Sequence, residues 1–257
     1  MDVTFLLVDA LNLIRRIYAA QPGDDTPERA ENARMTTAQS LQRALRECTP
    51  THAVCVFDSQ EKGWRHREYP QYKEGRRPMP EALHAALPKY EETFEQLGIP
   101  SIQIPKLEAD DVIATFASKV ASRGGTVTIL STDKIFFQLL TDRIKIRNHF
   151  LRHDIDGSYV LEHFQVRPDQ FVDFLALTGD STNNVKGVPS VGPKTAARLL
   201  AHFDTLEDLL TASYSISGKP GDMIRTHCED ARRARRLTQL CTDLELGYNL
   251  TAFRYGH

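Results

Sequence analysis

Three short apolar runs, Thr4–Val8, His52–Phe57 and Thr126–Leu130, are each followed at once by an acidic end: Asp9, Asp58 and Ser131-Thr132-Asp133. Runs this short and this rich in Val, Ile, Leu and Phe suit strands buried on both faces, as in a parallel sheet. Helical patterns separate them. Glu28–Arg46 ends near Thr49-Pro50, Pro80–Leu97 is closed by Gly98 and Pro100, and Ala109–Arg123 by Gly124-Gly125. This alternation predicts an α/β fold, a mainly parallel sheet flanked by helices. Weaker strands are expected at Ile99–Ile104 and Arg143–Arg147. After about residue 160 the pattern turns helical. Pro168 opens an apolar helix over Phe171–Leu177, a polar loop covers 179–184, and Lys194–His202 forms another helix. Asp204 with Glu207 resembles a capping box for a further one, and 213–222 reads as an exposed loop. Two units follow: 1–160, α/β, and 161–257, helical.

The chain's 257 residues are 41% hydrophobic and 26% charged, which argues against disorder. No run approaches the roughly eighteen apolar residues of a membrane span. The first strand is short for a signal peptide and has no basic leader, so a cytoplasmic protein is expected. Cys48, Cys55, Cys228 and Cys241 show no Cys-x-x-Cys spacing and read as reduced thiols. With net charge -2 and a pI near 6.5, any grip on nucleic acid must come from local patches.

The acids carry the chemistry. In a parallel sheet Asp9, Asp58 and Asp133 fall at one edge, where open α/β sheets place their sites. Glu108, Asp110 and Asp111 open a helix that starts near the same edge. Helix N-termini favour negative charge by only about 0.3–1 kcal/mol per group. Two like charges 4 Å apart repel by about 4 kcal/mol at an effective dielectric of 20. Convergence therefore calls for a counterion, and oxygen ligands without His or Cys select Mg²⁺ or Mn²⁺ over zinc. The plainer alternative is that each Asp caps the helix after its strand. Haloacid-dehalogenase chemistry needs Asp-x-Asp after the first strand, and this chain has Asp9-Ala10-Leu11.

Two further segments point to nucleic acid. Gly187-Val188-Pro189-Ser190-Val191-Gly192-Pro193-Lys194-Thr195 between helices is a helix-hairpin-helix pattern. Its glycines allow a tight turn, Pro193 suits the first helical position, and the free amides of the next helix with Lys194 suit a phosphate. Residues 62–77 carry Lys62, Arg65, Arg67, Lys73, Arg76 and Arg77 against Glu68 and Glu74, a net of +4, interleaved with Trp64, Tyr69 and Tyr72. That mixture fits single-stranded nucleic acid as well as a solvated loop whose aromatics pack on the core. Arg232, Arg233, Arg235 and Arg236 read as a solvated helix face.

Taken together, Val8-Asp9-Ala10-Leu11-Asn12, Val56-Phe57-Asp58, Tyr69-Pro70-Gln71-Tyr72-Lys73, Glu108-Ala109-Asp110-Asp111, Ser131-Thr132-Asp133-Lys134 and the stretch from Leu177 to Thr195 resemble the structure-specific 5′ nuclease (flap endonuclease) superfamily, nearest to its stand-alone bacterial exonuclease IX-like members. The resemblance covers nearly the whole chain. It implies a PIN-like nuclease core, a short helical arch over about 62–95, and a hairpin domain that grips duplex DNA. The implied activity is Mg²⁺-dependent cleavage of 5′ flaps or branched DNA, or 5′-3′ exonuclease action. The implied metal residues are Asp9, Asp58, Glu108, Asp110 and Asp111, with Asp133 and Asp180 as a second site. Asp110 would be central to catalysis, Lys73 would stabilise phosphate charge with Arg77 assisting, and Tyr72 would stack on a base. K⁺ would sit on the main-chain carbonyls of Leu177, Thr178, Lys186, Val188 and Val191, and Ser190, Val191, Gly192, Pro193, Lys194 and Thr195 would touch the DNA backbone. The chain departs from the pattern at Ile135, where the family has an acid, and at Asn183, where Gly-Asp-x-x-Asp-Asn has its second Asp. The second site is therefore expected to be weak. Two rivals stand beside this reading, a non-catalytic DNA-junction binder and a PIN-like ribonuclease. A monomer is expected, with any DNA polymerase partner acting in trans.

Overall fold

The structure is a computed structural model that describes residues 3–256. At its centre is a six-stranded sheet in the order β3-β2-β1-β4-β5-β6, formed by β1 (Thr4–Asp9), β2 (His52–Phe57), β3 (Ser101–Gln103), β4 (Thr126–Leu130), β5 (Ile144–Asn148) and β6 (His153–Ile155). The first five run parallel, and β6 returns antiparallel against β5. From β1 the chain steps outward to β2 and β3, then crosses back to lay β4 on the other side of β1. That reversal leaves a crevice at the carboxyl ends of β1 and β4, the place where such sheets bind ligands.

Alternation along the strands divides the core. Leu6 and Val8 face α1 (Ala10–Ala20), α2 (Pro27–Cys48) and, after the short α3 (Trp64–Glu68), α4 (Glu81–Gln96). Phe5 and Leu7 face α5 (Ala109–Ala121). The second core continues without a break into α6 (Gly157–Phe164), α7 (Phe171–Thr178), α8 (Pro193–Leu200), α9 (Leu206–Thr211), α10 (Gly218–Thr226) and α11 (Cys228–Thr238), through Val160, Phe171, Leu177, Ala197, Leu209, Ile224 and Leu237. No helix of the described residues is long and apolar enough to cross a membrane.

Four expectations change. Helix α1 was not anticipated, although Leu13, Ile14, Ile17 and Tyr18 give it a buried stripe and Asp9 caps it by accepting from the Asn12 amide at 3.3 Å. The cap of α9 is Thr205, which accepts from Asp208 N, and not Asp204. Within 213–222, the expected loop gives way to a 3-10 turn over Ser213–Ser215 and the start of α10. Pro220 is tolerated there because amides of a first helical turn have no intrahelical partner. A side chain at Gly221 would come within 1.9 Å of the Ile216 carbonyl. Finally, most of the expected arch is core. Leu83, Tyr90 and Phe94 of α4 are fully buried against α2 and the sheet, so the span left for an arch shrinks to the turns between α3 and α4.

Candidate active site

The parallel register sets the acids side by side. Val8 pairs with Leu130 and Asp9 with Val56, so Ser131 is level with Asp9 and Asp58 lies two residues farther on, at the same edge. Asp9 is almost closed from solvent; its Oδ2 accepts from Ser131 Oγ at 2.7 Å. Asp58 Oδ1 accepts from the Ala109 amide at 3.0 Å, which moors the start of α5 to the end of β2. That mooring aims Asp110, on the first turn of α5, at Asp9 and Asp58. Burial first, then the charges of Asp9, Asp133 and Asp58, hold the Asp110 carboxyl well above the usual carboxylate range, and Lys73 opposes them. Asp9 is pushed up to about 7 by burial, then by Asp58 and Asp133, against the Ser131 hydrogen bond. Asp133 is raised as well, by burial and then Asp180, while the Ile135 amide at 2.9 Å pulls it down.

Glu108 sits behind this rim. Its Oε2 accepts from Lys73 Nζ at 3.0 Å and Tyr72 Oη at 3.2 Å, and its buried Oε1 has no hydrogen-bond partner. The acids do not close on a single point. Among the described residues no three His, Cys, Asp or Glu side chains are gathered tightly enough to hold an ion alone. The arrangement fits a hydrated hard cation, which contacts one or two carboxylates and reaches the rest through its waters. The orphaned Glu108 oxygen and the three carboxyls raised by burial and by neighbouring acids are the features such an ion would relieve.

Several expected members stand elsewhere. Asp111 is not on the rim. It takes a bidentate pair from Arg65 at 2.6 and 2.8 Å and the Cys241 amide at 3.0 Å, so it carries no free oxygen toward the other acids. Tyr72 is 5% exposed, with its ring edge-on to His66, so base stacking is closed to it in this conformation and its role is to hold Glu108. The aromatics of 62–77 thus follow the core-packing alternative at Tyr72 and in part at Trp64. Arg77 is exposed, and only its carbonyl is used, by Arg15. Ile135 packs in the core. Asn183 Oδ1 accepts from Arg76 at 2.6 Å while its amide donates to Asp180, and the Lys73 amide donates to Asn183 O at 2.9 Å. Sequence reasoning missed these supports: Asn12, whose Oδ1 takes both the amide and the hydroxyl of Thr132, Ser131, Arg65 and Arg76. Each is a short-range polar partner visible only once the strands are in register.

The hairpin faces the same cleft. A two-stranded ribbon, β7 (Gly179–Asp180) with β8 (Val185–Lys186), and the Val188 amide on Leu177 O at 2.8 Å bring together the backbone at 177, 178, 186 and 188. A side chain at Gly187 would meet Leu177 O at 2.4 Å, so only glycine lets these segments approach. Val188 O accepts from Val191 N, and the Val191 side chain is in the core, which leaves it only backbone to offer. Helix α8 starts from Gly192 in open space, with Pro193 at its first position. The amides of Lys194 and Thr195 lack intrahelical partners. An open cleft of about 1190 Å³ joins Lys194 and Arg198 to Asp180, Asp133, Asn12 and Arg16. A groove of about 1230 Å³ at the opposite sheet edge, around Pro50, His52 and Tyr255, has no acid in its walls.

Comparison with known proteins covers the chain from end to end. Residues 4–165 match the family described as 5′-3′ exonuclease, N-terminal resolvase-like domain, and residues 166–257 match 5′-3′ exonuclease, C-terminal SAM fold. The flap endonuclease Xni of Vibrio vulnificus is 42% identical over 99% of this chain and 98% of its own length. That of Aeromonas salmonicida is 43% identical over 97% and 96%. Among solved structures, T5 5′-exonuclease with divalent metal ions (zinc) bound aligns with a TM-score of 0.79 at 21% identity, over 93% of this chain and 90% of that one. The catalytic core of Rad2 in complex with DNA substrate aligns at 0.63 and 16%, over 99% and 83%. These last two share the fold. The order of the matched halves and the full-length likeness to two Xni proteins place this chain in the 5′-3′ exonuclease family, among the flap endonucleases.

Proposed function

We propose that this protein hydrolyses phosphodiester bonds in 5′-flap and branched DNA with Mg²⁺, for which Mn²⁺ can substitute, leaving a 5′-phosphate and a 3′-hydroxyl. One observation carries the reading: Asp9, Asp58, Asp110 and Asp133 crowd one sheet edge, where burial and the neighbouring acids raise Asp9 and Asp110. Asp110, Asp9 and Asp58 would hold the cation, with Glu108 reaching it through water, and Asp133 and Asp180 forming a weaker outer pocket. When bound, the cation supplies an activated water and neutralises phosphate charge. Lys73, tethered to Glu108, presents its ammonium at the rim and would stabilise charge on the phosphate. Arg77, exposed beside it, would assist. The free amides of Lys194 and Thr195 at the start of α8 would take one phosphate of the duplex. K⁺ would lie on the carbonyls of Leu177, Thr178, Lys186, Val188 and Val191, each carbonyl keeping a second lone pair beyond any bond already made.

The test is a cleavage titration of the purified protein across Mg²⁺ and Mn²⁺, with DNA and RNA flaps side by side. DNA-flap cleavage abolished by chelator is the expected result. Preference for RNA supports the PIN-like ribonuclease. Binding of flaps with no cleavage in either ion leaves a junction-binding protein, the rival that Ile135 and Asn183 favour.

A further inference from the structure

Lys73 sits in a turn with a left-handed backbone, φ +59°. A residue with a long side chain rarely holds that conformation unless its surroundings impose it. From Glu74 to Pro78 every residue is exposed, so the core does not impose it. The partner that does is the loop over 181–184, which joins the two strands of the hairpin ribbon. The Lys73 amide donates to Asn183 O at 2.9 Å. Arg76 reaches the same loop with two donors, Nε to Thr182 O at 3.1 Å and a terminal nitrogen to Asn183 Oδ1 at 2.6 Å. Asn184 Nδ2 donates to Gln71 O at 2.9 Å, so the turn is held on both sides of Lys73. The loop is itself well fixed. Asn183 is 5% exposed and donates to Asp180, whose other oxygen takes the Thr182 amide. Asn184 is left-handed at φ +54°, which asparagine tolerates. Asn183 stands where the family pattern has an acid, and in this chain its oxygens face the lysine turn.

The loop is continuous with the hairpin. Gly179 pairs with Lys186 across the ribbon. A side chain at Gly179 or Gly187 would collide with the backbone opposite, at 2.7 and 2.3 Å, so ribbon and hairpin are packed as one piece. We propose that Arg76, Asn183 and Asn184 are positioning residues, which dock the Lys73 turn on the hairpin ribbon and so fix which phosphodiester lies under the lysine once the hairpin holds the duplex. Their hydrogen bonds act as a ruler between the duplex phosphate at the start of α8 and the bond to be cut. The assignment rests on the nuclease reading for the role of Lys73, and one arm of its test does not depend on cleavage.

The variants are N184G, which keeps the left-handed backbone and removes only the side-chain amide, R76M, which keeps the stem and removes both donors, and the two combined. On a 5′-flap DNA in Mg²⁺, R76M/N184G should cleave about ten- to a hundredfold more slowly in single turnover, the loss that a displacement of about 1 Å produces. Its Kd for the same DNA in EDTA should stay within about twofold of wild type, which separates positioning from binding. Products a nucleotide longer and shorter than the main one should become a visible share, because the lysine no longer keeps a fixed distance from the duplex. R76K can keep one of the two arginine contacts and should fall between wild type and R76M. In chelator and without DNA, hydrogen exchange at the Lys73 amide should be about tenfold faster in R76M/N184G than in wild type. A rate that falls only as far as DNA affinity does, an unchanged set of product lengths, or a Lys73 amide that exchanges as in wild type overturns the assignment. Wild type that cleaves no flap in Mg²⁺ or Mn²⁺, with the Lys73 amide still released in the double variant, sinks the nuclease reading and leaves the docking of the turn intact.

Discussion

Asp110 and Asp111 are consecutive residues of one helix, about 100° apart around its axis, and they meet opposite conditions. Asp111 is 1% exposed and fully answered, held by two nitrogens of Arg65 and by the Cys241 amide. Arg65 in turn donates to Leu237 O and Gln239 O, so the pair ties α3 and α5 to the end of α11. Asp110 faces three other carboxyls, with Lys73 as the opposing charge. Asp110 is also the less enclosed of the two, but it is the neighbours that set them apart. A buried acid with a matched base is a staple, whereas a half-buried acid among acids carries repulsion that a cation relieves. Perturbed groups of the second kind mark sites of chemistry.

The largest effect expected on this contrast is in activity. Asp110→Asn should lower flap cleavage by about a thousandfold, while its melting temperature in chelator rises by about 2–4 °C for each kcal/mol of repulsion removed. Asp111→Asn should do the reverse. It leaves Arg65 buried without its partner, at a cost of about 3–5 kcal/mol, seen as a lower midpoint in urea, with the cleavage that remains proportional to the folded fraction. A stabilised D111N or a destabilised D110N would erase the distinction.

A smaller effect appears in pH and metal. Asp9 and Asp110 hold protons in the folded state at pH values where the unfolded chain, with carboxyls near 3.9, has lost them. The native state then binds more protons, so their contribution to stability falls as pH rises from about 4 to about 7. The metal-free protein should lose up to about a few kcal/mol of stability over that range and melt progressively lower, and added Mg²⁺ should recover most near pH 8 and least near pH 5. Calorimetry with and without chelator measures this. An Mg²⁺ increment independent of pH would mean that the ion binds away from these acids.

Much of this contrast was legible in the sequence, though not its decisive half. Strand runs ending in Asp9, Asp58 and Asp133 gave the sheet, its edge and the meeting of acids, because a parallel register brings strand ends to one edge. Asp110 and Asp111 could not be told apart, since the residue that neutralises Asp111 lies 46 positions away in a segment read as a basic surface. Tyr72 was misplaced for the same reason, its burial depending on Glu108 and His66. Helix α1 shows a different failure: Asp9 was weighed as a cap and the helix's stripe was present, yet no helix was drawn after it; the structure shows Asp9 both capping α1 and standing on the rim. At 213–222, Gly and Pro were taken as loop punctuation although both are compatible with a first helical turn.

The smallest expected effect concerns the outer pair, Asp133 and Asp180, where the contrast is incomplete. Asn183 stands between the two conditions: it gives Asp180 a hydrogen bond and takes one from Arg76, so it quiets one acid without neutralising it. Asn183→Asp would exchange that donor for a carboxylate facing Asp180. Arg76 already reaches the position, so the repulsion would fall below the roughly 4 kcal/mol of two like charges 4 Å apart at an effective dielectric of 20. In chelator the variant should melt a few degrees lower, and Mn²⁺ should restore it. Its cleavage rate should stay within about threefold of wild type, with a steeper dependence on ion concentration. Ile135 stays in the core and keeps the pocket one acid short, so the gain should be partial. Unchanged melting and an unchanged ion titration would show that Asp133 and Asp180 never act as a cation pocket, and that the rim at Asp9, Asp58 and Asp110 works alone.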